Sequence, residues 1–325
     1  MDNEKLIIPR LDDWVEEVEN SPEPEWLIDG MLPADATCVV SGPSQVAHKT
    51  WLVFQAALCL ASGKSVEGIV PTNPDGIPIL IVEEEGPAKP TANRWKWLAK
   101  GNGVDYKKLP IHFMHRQGFT FQHDGALKQV KDYIIKHDIG LVVFDTYAKV
   151  NKGDENSSRD TGEVMRRIAM LREGGTSVML IHHVGKPKQK VIGTVNDDLR
   201  GSSALIGYMD VHWALRKRSL NQTHLNLDIM SNEDETKHYQ VRWDIKREQE
   251  SAKLLMRDGD GIEDNLDELA DLLLAVDLKG KPQAYTLDHL AQIWKVSQKE
   301  ARAQIAEMLG TQLYREGNLY FVKED

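Results

Sequence analysis

Two cysteines in 325 residues leave this chain without a disulfide framework or a thiolate metal cluster. Cys38 and Cys59 sit inside apolar segments with no ligand spacing, and read as buried reduced thiols of a cytoplasmic protein. Long apolar runs are missing as well. None approaches the roughly 18 residues that a bilayer span requires, so no membrane partner is expected. The opening MDNEKLIIPRLDDWVEEVE is acidic and lacks the basic-then-apolar order of a secretory signal. An excess of positive charge is also absent. With 40 Lys and Arg against 50 Asp and Glu, the formal net charge is -10, wrong for a protein that coats nucleic acid by bulk attraction. Any nucleic-acid contact must come from a locally basic surface. The length suits one large α/β domain or two domains, on a prior of roughly 100–200 residues each.

A glycine is missing where a phosphate loop needs one. Such a loop reads G-x-x-x-x-G-K-[ST]; its backbone N–H groups cradle phosphates, its Lys reaches the β/γ oxygens and its hydroxyl ligates Mg²⁺. In SGPSQVAHKTW, residues 41–51, Lys49 and Thr50 stand where that chemistry wants them. His48 replaces the glycine before the Lys, and Gly42 lies one residue too far upstream. The nucleotide-binding candidates are therefore Gly42, Ser44, His48, Lys49 and Thr50, with ATP and Mg²⁺ as the ligands. Glycine is used there because the backbone approaches phosphate with unusual dihedrals. A β-carbon in a left-handed conformation costs about 1–2 kcal/mol, which weakens binding or slows turnover without abolishing either.

The hydrophobic pattern sets the fold class. Strands are expected at Thr37–Val40, Ile77–Val82, Ile111–Met114, Leu141–Thr146 and Ser177–His183. Helices are expected at Lys49–Ala61, Asn93–Lys100, Ala126–Lys136 and Thr161–Glu173. Uniformly apolar strands alternating with helices mean a parallel sheet buried on both faces. After Arg200 the segments MDVHWALR, LNLDIM and HYQVRWDI follow without helices and read as an antiparallel extension at one edge. The expected divisions are an acidic lead-in over 1–25, an α/β domain over 26–248, a linker over 249–264 and a small domain over 265–325. The last shows three amphipathic helices and a hairpin turning at Gly317-Asn318, the pattern of a winged helix. Acidic residues outnumber basic ones there, which fits protein docking at least as well as DNA binding.

In open α/β sheets, ligands bind at the carboxyl ends of the strands. Those ends carry the phosphate loop, then Glu83, Glu84 and Glu85, then Asp145, then His182 and His183. A phosphate cradle, an Asp directed at metal, an acid for the attacking water and a polar sensor are the parts of ATP hydrolysis. Each has a duller reading: four apolar residues before an Asp are common, and strand-end glutamates or histidines are often simply solvated. Their conjunction is the signal.

The order PEWLIDGMLP, GPSQVAHKTW, ILIVEEEGP, LVVFDT, LIHHVGK, LRGSSAL, WDIKRE resembles the RepA-type hexameric replicative helicases of plasmids and phages, within the RecA/DnaB-like ATPases. The likeness covers roughly Trp26 to Arg247. It implies a RecA-like core, ATP held between subunits of a homo-oligomeric ring, and single-stranded DNA in the channel. By that resemblance Lys49 and Thr50 bind phosphate and Mg²⁺, Asp145 holds the Mg²⁺ shell, and Glu85, with Glu84 as the alternative, is the catalytic base. His183 senses the γ-phosphate, and Arg200 is the finger reaching a neighbour's nucleotide. Lys246 or Arg247 adds a second cation in trans, or forms a surface ion pair. Lys186, Lys188 and Lys190 occupy the position of the channel loop that contacts DNA. Other replication proteins are the expected partners of the C-terminal domain. Two rival functions remain: a catalytically weak ring that loads or recruits replication proteins, and a regulator reading duplex DNA through that domain.

Overall fold

The computed structural model describes residues 8–21, 25–43, 48–155, 157–184, 204–216, 225–232 and 234–259, with positions 299 and 302 and strands 313–316 and 319–322 farther on. A nine-stranded sheet organises the chain, in the order β11-β10-β9-β8-β3-β7-β6-β4-β5. Its strands are β3 (Thr37–Pro43), β4 (Ile79–Glu83), β5 (Ile111–His115), β6 (Leu141–Asp145), β7 (Ser177–Val184), β8 (Val211–Arg216), β9 (Leu225–Ser231), β10 (Lys237–Lys246) and β11 (Ser251–Asp258). A small hairpin of β1 (Trp26–Ile28) and β2 (Leu32–Pro33) leads into it.

The parallel core is the one the apolar runs predict. Strands β5, β4, β6, β7 and β3 pair in parallel along their whole lengths. Two expectations need correction. The segment MDVHWALR joins β3 in parallel as β8; the antiparallel extension begins only with β9. The span read as a linker supplies β11, which pairs with β10 from Tyr239↔Asp258 to Lys246↔Ser251. Its charged residues alternate with Ala252 and Leu254, which are buried, so composition hid a half-buried strand.

Helices cover both faces. On one lie α2 (Lys49–Ser62) and α3 (Ala88–Gly101). On the other lie α4 (Asp124–Lys136), α5 (Tyr147–Val150), α6 (Ser158–Arg172) and α7 (Ala204–Tyr208). Helix α2 is buried nearly all round because it runs between the sheet and α3, with Leu52, Phe54 and Leu58 in the same cluster as Val40, Ile81 and Ile181. It stops at Gly63, whose φ of +65° suits only glycine; a β-carbon there would lie 2.0 Å from the Pro74 carbonyl oxygen. The opposite face centres on Phe119, Phe121 and Phe144, packed by Val164 and Ile168 of α6.

The amino ends of the central strands are tied by one arginine. Arg172 donates to the Thr37 hydroxyl at 3.0 Å and pairs with Asp210 at 2.9 Å and Asp35 at 3.1 Å. Asp210 also accepts the Thr37 N–H at 2.7 Å. Cys38 and Cys59 are free and buried. Among the described residues, no helix is long and apolar enough to cross a membrane.

The lead-in contains a helix, α1 (Leu11–Glu19). The expected C-terminal hairpin is present as β12 (Leu313–Glu316) and β13 (Leu319–Val322). Its turn and the three helices of the winged-helix expectation lie outside the described residues, except for positions 299 and 302, which are helical.

Candidate functional site

Six parallel strands deliver their carboxyl ends to one edge of the sheet, and the chemistry gathers there. The loop after β3 returns at His48, whose φ of 49° and ψ of 33° are left-handed. The sequence expectation for this position is met: the backbone takes the glycine conformation while carrying an imidazole, at a cost of about 1–2 kcal/mol. Helix α2 starts at the next residue, so its amino-terminal N–H groups and dipole lie at this edge of the sheet, beside Lys49 and Thr50.

Lys49 is buried, and its ammonium donates to the carbonyls of Gly42 at 2.7 Å and Pro43 at 3.1 Å. Burial pushes its pKa down to about 8, against the attraction of Asp145 and Glu85 nearby. Thr50 donates its hydroxyl to Asp145 Oδ2 at 2.9 Å. Asp145, at the end of β6, is pushed up to about 7 by burial; the Thr50 hydrogen bond and the Arg94 charge oppose this, and the Glu83 and Glu85 charges add to it. A carboxyl short of compensating positive charge beside a hydroxyl is the donor set a hard cation such as Mg²⁺ uses. The residues fit that ion.

The three glutamates after β4 divide sharply. Glu83 is buried and turns back on its own chain, accepting from the Glu85 N–H at 2.9 Å and from the Gly86 N–H. His115 lies 3.3 Å from its other oxygen. Glu84 points the opposite way, accepting the N–H groups of Gln117, Gly118 and Phe119 at 3.0–3.1 Å. Neither is a solvated strand end. Both are tied off in structural bonds, one shaping the turn and the other pinning the loop after β5. Glu85 alone among them bonds to Thr146 and His183. Its Oε2 accepts from the Thr146 hydroxyl at 2.8 Å and lies 3.4 Å from His183 Nε2. The contact with His183 chiefly, then the Thr146 bond, holds its pKa down at about 2 against its own burial.

His182 and His183 point to opposite faces, as neighbours on a strand must. His182 is buried, edge-on to Tyr147 at 5.5 Å between centroids. Behind the loop, the Ser41 hydroxyl shares a 2.7 Å hydrogen bond with His212 Nε2 on β8. Burial pushes His212 down to about 4, so it is neutral and acts as a fixed strut for the strand that carries the loop.

The two candidate trans cations part company. Lys246 pairs with Asp244 at 3.1 Å on the surface, as its duller reading had it. Arg247 instead lines a cavity of about 280 Å³ with His48, Trp51, Arg94 and Trp97. Trp51 is also 5.7 Å from Trp243 and 6.5 Å from Trp97 between centroids, which makes an aromatic wall beside the loop. Sequence reasoning missed Arg94 and Thr146. Thr146 stands in the LVVFDT motif next to Asp145 and was open to notice; Arg94 is one base among four on α3, with no spacing signal to single it out. Ser44, Lys186, Lys188, Lys190 and Arg200 lie outside the described residues.

A family model described as an AAA domain matches residues 6–189, more than half of the chain. The chain belongs to the AAA domain family. Lys49, Thr50, Glu85 and Asp145 all fall inside the matched span. Among solved structures, the chain is similar to a KaiC-like protein of the hyperthermophilic archaeon Pyrococcus horikoshii. That likeness has 15% identity and a TM-score of 0.47, covering 71% of this chain and 93% of the other. No curated protein matches the sequence.

Proposed function

We propose that this AAA domain protein is a ring-forming ATPase of the RepA/DnaB helicase type, acting on single-stranded DNA in replication of a plasmid, phage or mobile element. The observation that carries the hydrolytic part is the meeting of Lys49, Thr50–Asp145 and Glu85–His183 at adjoining strand ends. Lys49 would exchange its two carbonyl partners for phosphate oxygens, which return a full charge to an amine that burial has weakened. Thr50 and Asp145 would hold Mg²⁺, which supplies neutralisation of the phosphate charge when bound. Glu85, at a pKa of about 2, is too acidic to store a proton at neutral pH. Its role is to orient the attacking water by accepting its hydrogen bond, the positioning that phosphoryl transfer mostly requires. His183 is bonded to Glu85 and sits on β7, whose chain continues toward the Lys186–Lys190 segment. A change at the γ-phosphate would therefore pass through His183 to the lysines proposed to hold DNA phosphates. Arg200 and Arg247 are the proposed cations presented to a neighbour's nucleotide, which makes turnover depend on assembly.

The strained His48 favours slow rather than fast turnover. Steady-state ATP hydrolysis, measured with and without single-stranded DNA, tests the reading. The expected result is a low basal rate, stimulated several-fold by DNA and lost in Lys49→Ala. ATP binding without hydrolysis under either condition would support the rival ring that loads or recruits replication proteins. Equal inactivity and equal failure to bind ATP in both chains would sink the enzymatic reading.

A further inference from the structure

Glu85 reaches its partners because the chain turns sharply after β4, and that turn is built on a buried carboxylate. Glu83 closes β4 and is buried. Its Oε1 accepts the N–H of Glu85 at 2.9 Å and the N–H of Gly86. A carboxylate that accepts two successive backbone N–H groups fixes the chain around it, since charge-assisted bonds are roughly twice as strong as neutral ones. The close approach requires Gly86: a β-carbon there would stand 2.8 Å from Thr91 Oγ1 and 3.2 Å from both Glu83 oxygens. The residue whose N–H is gripped here is the one whose carboxyl reaches Thr146 at 2.8 Å and His183 at 3.4 Å. Glu85 is thus held by its backbone from one side and by its side chain from the other.

The rest of the turn is held from β5, the edge strand of the sheet on that side. His115 ends that strand. Its Nε2 lies 2.9 Å from the Gly86 carbonyl oxygen and 3.3 Å from Glu83 Oε2. Both neighbours are acceptors, so Nε2 carries the hydrogen and one N–H spans the two. Thr91 of α3 adds only a long bond to Oε2, at 3.4 Å. Arg116 completes the grip: its N–H donates to the Glu83 carbonyl at 2.8 Å and its guanidinium to the Glu85 carbonyl at 2.5 Å. None of the residues proposed above to meet nucleotide lies on β5, yet its last side chain closes the turn that aims Glu85. Glu83 also pairs in register with Asp145 across β4 and β6, so the turn is anchored to the strand bearing the proposed Mg²⁺ ligand.

We propose that His115 is a positioning residue for the hydrolytic step, setting the aim of Glu85 through Glu83 and Gly86 without touching nucleotide itself. The role rests on the reading of Glu85 as the group that orients the attacking water. No proton passes through His115; its N–H stays in place and holds the turn. Without that N–H, the Gly86 carbonyl and one oxygen of Glu83 lose their donor, and the turn relaxes while Lys49, Thr50 and Asp145 stay where they are. A misplacement of about 1 Å at a catalytic group costs on the order of a hundredfold in rate. Binding is spared and turnover is not.

Steady-state ATP hydrolysis and ATP calorimetry on the full chain test this, with wild type compared to His115→Phe, His115→Gln and His112→Ala. Phenylalanine keeps a ring against Phe113, whose centroid lies 6.4 Å from that of His115, and removes only the N–H. Glutamine keeps an N–H at similar reach. His112 lies on the same strand but bonds to Tyr133, and so controls for disturbance of β5 itself. The expected result is a kcat lowered about tenfold to a hundredfold in His115→Phe, with ATP affinity within about twofold of wild type. His115→Gln should recover most of that rate, and His112→Ala should keep it. In a Glu85→Gln background, His115→Phe should cost nothing further, because the group it aims is already gone. An unchanged kcat in His115→Phe would overturn the proposal, as would a parallel loss of ATP affinity or the same kinetic loss in both backgrounds. No recovery in His115→Gln, or an equal loss in His112→Ala, would overturn it too. A wild type without turnover would remove the enzymatic reading and this role with it, whereas a fully active His115→Phe removes this role alone.

Discussion

The two ends of the parallel sheet treat charge in opposite ways. At the amino end, Arg172 is matched by Asp35, Asp210 and the Thr37 hydroxyl, and every partner is close and half-exposed or better satisfied. At the carboxyl end, Lys49 is pushed down to about 8, Asp145 up to about 7 and Glu85 down to about 2, within one cluster. The first arrangement closes on itself; the second leaves charge that only a ligand completes. Mismatched titratable groups converging at one place mark a site built for chemistry at the expense of stability.

The largest effect should come from the group proposed to orient the attacking water. Glu85→Gln is expected to lower ATP turnover by a factor on the order of 10²–10⁴ while leaving nucleotide binding intact, as compared by single-turnover kinetics and calorimetry. Glu84→Gln, by contrast, should act on the loop at Gln117–Phe119 and on stability, not on the chemical step. Equal kinetic losses in both would erase the distinction between them.

Asp145 tests the strain at the carboxyl end. Its raised pKa means that its contribution to stability is full below the unfolded value near 4 and is lost as pH rises through about 7. In the absence of Mg²⁺ and nucleotide, Asp145→Asn should therefore be the more stable chain at pH 8, by roughly 2–4 kcal/mol, and lose that advantage at pH 4. Denaturant titrations at the two pH values measure it. Arg172→Ala should do the opposite at the other end, costing about 2–3 kcal/mol because Asp35 and Asp210 are left without their cation. ATP affinity of the folded protein should not change. A loss of affinity without a loss of stability would mean that the two ends are not separate.

The smallest effect concerns His48. Replacing it by glycine removes the left-handed β-carbon cost but loosens the unfolded chain, so His48→Gly should stabilise the fold by about 1 kcal/mol or less, read from denaturant midpoints.

The parallel core and the positions of Lys49, Thr50, Asp145 and His183 were legible because buried strands are continuous apolar runs and their carboxyl ends are where sheets of this kind place ligands. His48 was legible too, as a residue forced into a glycine's conformation. What sequence could not divide was EEE. Three identical side chains in succession take three directions, fixed by His115, by the N–H groups of residues 117–119 and by His183, all distant in the chain. Strand β11 was lost because its alternation is short and its exposed face heavily charged. Helix α1 was folded into an acidic lead-in because its carboxylates dominate the composition, although its apolar stripe has regular spacing. Arg94 acts through space on Asp145, and nothing in its neighbours along the chain announces that.

Titration calorimetry of Mg²⁺ and ATP into the wild-type chain and into Lys49→Ala, at pH 7, tests the account most directly. Saturable binding by the wild type, weakened at least a hundredfold in Lys49→Ala, is the predicted result. Indistinguishable heats from the two chains would show that the cluster of Lys49, Thr50, Glu85 and Asp145 does not hold a nucleotide.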